Sequence, residues 1–404
     1  MVFLGASLPS LSLRPLFTVL LALVTLVALD RAIADPPAVD TKQFVVIVFD
    51  DMRVDDMKYM PRLASLAERR GQSLNHAFVS CPLCCPSRSS LLTGLLVSKH
   101  GVTGNSVKLE KPTIFTALHA AGVKTGLVGK YLNSHKGRPL PEFDYWASFK
   151  GGNVTNWLRP RLNINGEFQR FDEYISDIVL DQAAIFTKRY ASDPYVLYMN
   201  FTAPHRPATT PPGFTASCND VELPDHFNEV DPTAPPEYQA LPLLDAEKLL
   251  HLACARAKSL KYLDYKVSKV IRELISNGVT VFVVSDNGVM LGEYRLEDKG
   301  TAYPETVRTP FLVFNYESID PARVISLIDI PASILKSFAV EPPGYALDGI
   351  PLEEPRTSAT IEYFGERLNF TAKATPGLIR VLYMSGFKQE LAYSPESLGR
   401  GSKR

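Results

Sequence analysis

Six apolar residues in succession, Phe44-Val45-Val46-Ile47-Val48-Phe49, run directly into Asp50-Asp51. A strand with one wet face alternates polar and apolar residues. An unbroken β-branched and aromatic run is instead the mark of a strand covered on both faces. Such strands belong to parallel sheets, whose crossover helices lie on either side. Comparable runs recur at 124–128, 195–201, 279–284 and Phe311–Phe314. Between them, Ile175, Ile178, Val179, Gln182, Ile185 and Phe186 keep helical spacing. So do Leu260, Leu263, Val267, Val270, Ile271 and Leu274, a stripe stopped by Asn277-Gly278. Strands alternating with helices predict an α/β sandwich around a large, mostly parallel sheet.

Two of the strands end in acid. The run at 45–49 leads into Asp50-Asp51, and 281–284 leads into Ser285-Asp286-Asn287-Gly288. Ligands of open α/β sheets gather beyond the carboxyl ends of the strands. Carboxylates crowded there repel one another unless a cation holds them, and oxygen-only ligands suit Ca²⁺ or Mg²⁺. A single Asp-Asp after a strand is a common solvated turn. Two such endings carry more weight.

A third segment adds a reactive group. Cys84-Cys85-Pro86-Ser87-Arg88-Ser89-Ser90-Leu91-Leu92-Thr93-Gly94 places a cysteine at a turn, with Pro86 suited to the first turn of a helix. A thiol at the positive end of a helix, with Arg88 one turn on, is expected to favour its anionic form. The plainer alternative is a buried structural cysteine.

The whole pattern, Cys-x-Pro-Ser-Arg followed by Leu-x-Thr-Gly, resembles the signature of type I sulfatases. The resemblance implies an alkaline-phosphatase-like sandwich with a short, abridged C-terminal subdomain. It implies that Cys84 is oxidised to formylglycine by a formylglycine-generating enzyme. It also implies that Asp50, Asp51, Asp286 and Asn287, with an oxygen of the modified Cys84, surround one Ca²⁺. Gly129-Lys130-Tyr131-Leu132-Asn133 resembles a segment of the N-acetylglucosamine-6-sulfatase and endosulfatase branch whose lysine, here Lys130, holds the formylglycine and sulfate oxygens. Ala203-Pro204-His205 is similar to a motif whose histidine lies beside the sulfate, and Gly292-Glu293-Tyr294-Arg295-Leu296-Glu297-Asp298-Lys299 to one whose lysine, here Lys299, binds it. Late in the chain, Leu327-Ile328-Asp329-Ile330-Pro331, Asp348-Gly349 and Ile361-Glu362-Tyr363-Phe364-Gly365-Glu366 also resemble family segments.

The catalytic set so implied is Cys84, Arg88, Lys130, His205 and Lys299, with His205 or Lys299 as the acid for the leaving alcohol. The substrate implied is a sulfated sugar. An arylsulfatase acting on small phenolic sulfates is the alternative, phosphoester or phosphonate hydrolysis is a more distant one, and a silent binding protein on the same fold is a third. Three departures from family patterns stand at Met52, Leu132 and Met290, the last where many relatives have histidine.

The 43 basic and 43 acidic residues cancel, so no global field recruits nucleic acid or an anionic membrane. Any anion selectivity must be local. Near the start, Arg14 precedes an apolar run at 15–29, and Ala32-Ile33-Ala34 offers a cleavage site, which together predict a signal peptide at 1–34. The run is shorter than the roughly 20 residues of a membrane span, so no stable span is expected, an uncleaved anchor being the alternative. The chain is therefore expected in the secretory pathway, extracellular or lysosomal. A catalytic domain is expected at 35–355, a small C-terminal subdomain at 356–398 and a disordered tail at 399–404.

Sequons stand at Asn153, Asn200 and Asn369, although Asn200 ends an apolar run and reads as buried. Of five cysteines, conversion of Cys84 leaves Cys81, Cys85, Cys218 and Cys254. A Cys218–Cys254 bridge suits an oxidising lumen, and Cys81 and Cys85 read equally as free and buried; the sequence leaves the pairing open. The Pro-, Asp- and Thr-rich stretch at 209–242 reads as an insertion loop, either shaping a substrate rim or packing over the sheet edge.

Overall fold

The computed structural model describes residues 1–2, 42–152, 154, 156–365 and 368–394. All but the first two residues of the expected leader, the 399–404 tail and Asn153 lie outside them. The strands are β1 (Gln43–Asp50), β2 (Gly71–Ser73), β3 (Ala77–Phe78), β4 (Lys124–Gly129), β5 (Tyr145–Ser148), β6 (Arg161–Ile164), β7 (Glu167–Arg170), β8 (Tyr195–Pro204) and β9 (Thr280–Ser285). They continue with β10 (Met290–Leu291), β11 (Glu297–Asp298), β12 (Phe311–Phe314), β13 (Ile325–Ser326), β14 (Ala359–Phe364), β15 (Asn369–Thr375), β16 (Leu378–Tyr383) and β17 (Lys388–Ala392). The longer helices are α1 (Pro61–Arg70), α2 (Cys84–Thr93), α3 (Ile114–Ala120), α4 (Ile175–Arg189), α5 (Ala246–Ser276) and α6 (Asp329–Phe338).

The main sheet runs β2-β12-β9-β1-β8-β4-β5-β6-β7. Its five central strands, β9, β1, β8, β4 and β5, are mutually parallel. The flanks are antiparallel: β12 on β9, β2 on β12, β6 on β5 and β7 on β6. The parallel character expected from the apolar runs holds for β1, β4, β8 and β9; the run at Phe311–Phe314 is the antiparallel β12, and the parallel β5 has no such run. The flanking strands β6 and β7 are short, and β7 is exposed along its whole length, so neither has an apolar run to announce it.

Both faces of β1 are covered, which is why its sequence does not alternate. Phe44, Val46 and Val48 join an apolar cluster with Leu91 and Leu92 of α2, Phe115 and Leu118 of α3, and Ile330 and Ile334 of α6. Val45, Ile47 and Phe49 join a second cluster with Leu63 of α1, Ile178 and Val179 of α4, and Leu260 and Leu263 of α5. Each such side chain taken out of water contributes about 1.5–3 kcal/mol. Four strands, β14 to β17, form a separate antiparallel sheet. Its inward residues, among them Ile361, Phe370, Ile379 and Val381, belong to the first cluster, so one apolar core runs through both sheets.

The 209–242 stretch is mostly irregular, as expected. It does not float: Phe227 pairs with Glu293, and the Asn228 N–H donates to Gly292 O at 3.0 Å. Cys218 and Cys254 form a disulfide, with Cα atoms 5.5 Å apart and a sequence separation of 36. It anchors the loop to α5. Closing a loop of that length restricts the unfolded chain enough to stabilise the fold by about 3–4 kcal/mol. A Cys218→Ser, Cys254→Ser double variant is therefore expected to lose about that much in urea unfolding, and an unchanged midpoint would contradict it. Cys81, Cys84 and Cys85 are free and buried. Among the described residues, no helix is long and apolar enough to cross a membrane.

Candidate active site

Four parallel strands deliver the site from their carboxyl ends. β1 ends in Asp50, and Asp51 follows in the left-handed region at φ 66, which aspartate tolerates better than most residues. β4 ends at Gly129, where φ is +89 and a Cβ would lie 1.8 Å from the Asn200 carbonyl oxygen. Only glycine lets β4 pass that close and present Lys130. β8 carries Asn200 and leads to His205, and β9 leads into Asp286 and Asn287. α2, buried on all sides, begins with Cys84 and places Arg88 one turn later. Lys299 follows the β10–β11 hairpin.

These side chains converge. Lys130 Nζ donates to Asp50 Oδ2 at 2.6 Å, and Arg88 Nε to Asp286 Oδ2 at 2.6 Å. Lys299 Nζ donates to Asp51 Oδ1 and lies 2.9 Å from Cys84 Sγ. The thiol in turn faces Asp50 Oδ1 at 3.6 Å. His205 Nε2 is 3.7 Å from Asp51 Oδ2, while its Nδ1 donates to the Arg206 carbonyl at 2.6 Å, which fixes a proton on Nδ1. Asp286 Oδ1 accepts from the backbone N–H groups of Asp51 and Asn287 at 3.1 and 2.9 Å. Every residue placed in the site from the sequence is thus in one cluster: Asp50, Asp51, Cys84, Arg88, Lys130, His205, Asp286, Asn287 and Lys299.

Three carboxylates face three permanent cations in near-complete burial. Burial opposes ionisation of Asp50 and Asp51, but Lys130 and His205 around the first, and Lys299 and His205 around the second, hold both below the usual carboxylate range. Asp286 moves up: burial raises it and Asp50 adds to the effect, against Arg88. Lys130 and Lys299 are raised, because their carboxylate neighbours outweigh burial.

The same enclosure corrects the sequence expectation for Cys84. Burial pushes its thiol up to about 12, against Lys130 and Lys299 and with Asp50 and Asp286 adding to the rise. The helix start and Arg88 do not make it a thiolate. The cage suits an uncharged group at this position, not a sulfur anion.

The donor set fits a hard divalent cation. One ligand atom each from Asp50, Cys84 and Asp286 lie within 4.8 Å of one another, as do those from Asp50, Asp51 and His205. Asn287 spends its amide Nδ2 on Asp51 Oδ1 and Gly288 O, at 2.7 and 2.8 Å, which leaves Oδ1 buried without a partner. A buried carbonyl without a donor, beside three carboxylates, is the oxygen-rich environment that calcium or magnesium takes.

Two functional residues were not read from the sequence as such. Asn200 sits inside β8, buried, and its Oδ1 accepts from Arg88 Nη1 at 3.1 Å. Its burial, which the apolar run had suggested, argues against a glycan at this sequon, since the amide is enclosed behind α2. Peptide mapping after enzymatic deglycosylation in heavy-oxygen water should recover residue 200 as unlabelled asparagine; a labelled aspartate would refute the enclosure. Asn369, in contrast, is half-buried at the start of β15.

Arg256 of α5 donates to the Asp51 carbonyl at 2.8 Å, to Asp56 Oδ2 at 2.6 Å and to the Pro204 carbonyl at 3.3 Å. It ties the turn carrying Asp51 to the end of β8. Its signal was present: Arg256 lies in register with the apolar stripe that continues at Leu260 and Leu263. An arginine on a core face needs buried acceptors. The three departures at Met52, Leu132 and Met290 are all buried core side chains.

Comparison with known proteins comes down on one family. The family model described as Sulfatase matches residues 42–340. The chain is 29% identical over 329 residues to the extracellular sulfatase SULF-1 homolog of Drosophila melanogaster, covering 73% of this chain and 29% of that protein. It is 25% identical over 391 residues to the N-acetylglucosamine-6-sulfatase of Homo sapiens, covering 83% of this chain and 69% of that one. The chain thus spans about a third of the Drosophila relative's length. Among solved structures, a protein in complex with its substrate D-glucosamine-2-N,6-O-disulfate superposes with a TM-score of 0.70 at 18% identity, covering 88% of this chain and 91% of that one. At that identity the likeness is one of fold.

Proposed function

The chain belongs to the sulfatase family, and from that membership we propose that it hydrolyses a sulfate ester on a 6-sulfated glucosamine unit. The observation that carries the reading is the cage itself. Cys84 stands among Arg88, Lys130 and Lys299, with Asp50, Asp51, Asp286 and Asn287 at the ends of two neighbouring parallel strands. The glucosamine preference rests on the human relative's name and on the sugar bound by the structural neighbour.

Asp50, Asp51, Asp286 and Asn287 would hold calcium, which supplies divalent charge against the sulfate oxygens. Cys84, once converted by a formylglycine-generating enzyme, would supply a hydrated aldehyde as the nucleophile that takes the sulfonyl group from the ester's alcohol, with a second hydroxyl through which sulfate could be eliminated. The other residues bind and orient. Arg88, Lys130 and Lys299 are fixed donors that complement the negative charge spreading over the sulfate oxygens in a site shut off from water. Their ion pairs hold them in place before substrate arrives, so little reorganisation is needed.

His205 is the candidate acid for the leaving alcohol. Its Nδ1 is engaged with the Arg206 carbonyl, its Nε2 faces Asp51, and it is the most exposed member of the cluster, on the side open to a sugar. Lys299 is nearer Cys84 and better placed to steady the nucleophile. Secretion to the cell exterior suits the Drosophila relative's name, with delivery to the lysosome as the alternative on the same secretory route. The test is a panel of sugar 6-sulfates and aryl sulfates with Cys84→Ala as blank. Turnover of sugar 6-sulfates above the blank is expected; preference for aryl sulfates would replace the sugar reading, and no turnover of any ester would end it.

A further inference from the structure

Beyond the sulfate cage, one ion pair spans the exit from the site. Arg206 directly follows His205, and Asp298 directly precedes Lys299. Arg206 Nη2 and Asp298 Oδ2 are 3.6 Å apart, and the two side chains are 51% and 53% exposed. Cys84, Asp50 and Lys130 are at most 1% exposed. The site therefore passes from enclosed to open where His205 and Lys299 meet this pair.

Both partners are held by the backbone. The Arg206 carbonyl accepts from His205 Nδ1, so the segment bearing the arginine is registered to the imidazole. Asp298 pairs with Met290 across the β10–β11 ladder and sits in the left-handed region at φ 74. The hairpin is in turn fastened to the 209–242 loop through Phe227 and Asn228.

We propose that Arg206 is a specificity-determining residue that binds a second oxyanion of the substrate, carried beside the scissile sulfate on the same sugar or on its neighbour. This rests on the sulfated-sugar reading above and extends it. The cations inside the site, Arg88, Lys130 and Lys299, are buried and each already paired with a carboxylate, so none of them reaches a further anionic group at the mouth. Arg206 offers positive charge there. Its planar fork matches the paired oxygens of a sulfonate or carboxylate. An exposed pair such as Arg206–Asp298 is worth little in water, about 0–1 kcal/mol, so an incoming anion can displace the aspartate. Asp298 has a second effect: its charge opposes the same anion and is left to accept a sugar hydroxyl.

The experiment compares kcat/KM for glucosamine 6-sulfate, glucosamine-2-N,6-O-disulfate and a 6-sulfated glucosamine linked to a uronic acid. The proteins are the wild type and the variants Arg206→Ala, Arg206→Lys and Asp298→Asn, all with residue 84 converted. Asparagine tolerates the left-handed backbone, so the last variant should fold. The wild type is expected to prefer one of the two substrates bearing a second anion, and which one identifies an N-sulfonate or a carboxylate as the group read. Arg206→Ala should cut that preference by about tenfold to a hundredfold, mostly through KM. Arg206→Lys should restore part of it, and Asp298→Asn should raise it. A preference unchanged within about twofold in Arg206→Ala overturns the assignment and leaves the sugar reading standing. A wild type that cleaves only the plain 6-sulfate also overturns it. A wild type that cleaves none of the three sinks the sugar reading, and this inference with it.

Discussion

Cys84→Ala and Cys84→Ser are each expected to lose at least about 10⁴-fold in kcat on any sulfate ester, the scale on which single nucleophiles are lost elsewhere. The alanine variant has no nucleophile at the start of α2. The serine variant is the more telling one. Its hydroxyl is nearly isosteric with the thiol, and Lys299, 2.9 Å from the sulfur it replaces, can still steady it. A sulfate ester on serine, however, has no second hydroxyl whose proton can be lost to expel the sulfate, so sulfate should remain on the residue-84 peptide in a mass spectrum after at most one turnover. Protein expressed without the converting enzyme should also be inactive, because its thiol, like the serine, has no second hydroxyl whose proton can be lost to expel sulfate. The fold should survive these changes at a cost of about 1–2 kcal/mol, that of one buried polar contact. Alanine turnover at the wild-type rate would remove Cys84 from the chemistry.

What the sequence revealed, it revealed through burial on two sides and through spacing. β1, β8 and β9 were legible because residues such as Val46 and Ile47 face opposite apolar clusters, which forces an unbroken run. Asp50, Asp51, Asp286 and Asn287 followed because they lie just past those runs, whereas Cys84, Arg88, Lys130, His205 and Lys299 were placed by their resemblance to family motifs. Asn200 was harder, since an amide within a buried strand reads as an odd polar residue in a sequon, and only the fold brings Arg88 across to it. Arg256 was passed over because a helix stripe is scored by its apolar members, and its acceptors, Asp51 O, Asp56 Oδ2 and Pro204 O, lie far from it in sequence. The state of Cys84 was misjudged for a related reason. A helix terminus and one arginine are local features, whereas the carboxylates of Asp50 and Asp286 that face the sulfur come from residues 34 and roughly 200 positions away. Local pattern gives the elements; the sign of the electrostatics in a buried cluster depends on which ends the topology brings together.

Asp286→Asn is expected to weaken calcium binding by about 10²–10³-fold, and it tests the cage where its parts are most interdependent. Asp286 Oδ2 accepts from Arg88 Nε, and Oδ1 from two backbone N–H groups. An asparagine can keep only one of those oxygens, so its NH₂ must face either the guanidinium or the backbone donors. The substitution also leaves two carboxylates against three cations. One lost charge about 4 Å from a cation is worth about 4 kcal/mol per unit of partner charge at an effective dielectric of 20, and relaxation of Asp50 and Asp51 absorbs part of it. Arg88, buried and deprived of its partner, should further cost the ion-free protein about 3–5 kcal/mol. The measurements are calcium titration calorimetry and thermal unfolding with chelator or with calcium. In the wild type, calcium at a hundred times its dissociation constant should add about 2.7 kcal/mol of stability, and the chelator should remove it along with activity. The variant should start lower and gain nothing over the same calcium range. Asn287→Ala separates the two effects: it removes the unpartnered Oδ1 and the Nδ2 bonds to Asp51 and Gly288 but leaves the Arg88–Asp286 pair intact, so calcium affinity should fall while ion-free stability drops by less than in Asp286→Asn. A wild type whose unfolding and turnover both ignore chelator and calcium would show that the oxygens of Asp50, Asp51, Asp286 and Asn287 are held together by Arg88, Lys130 and Lys299 alone.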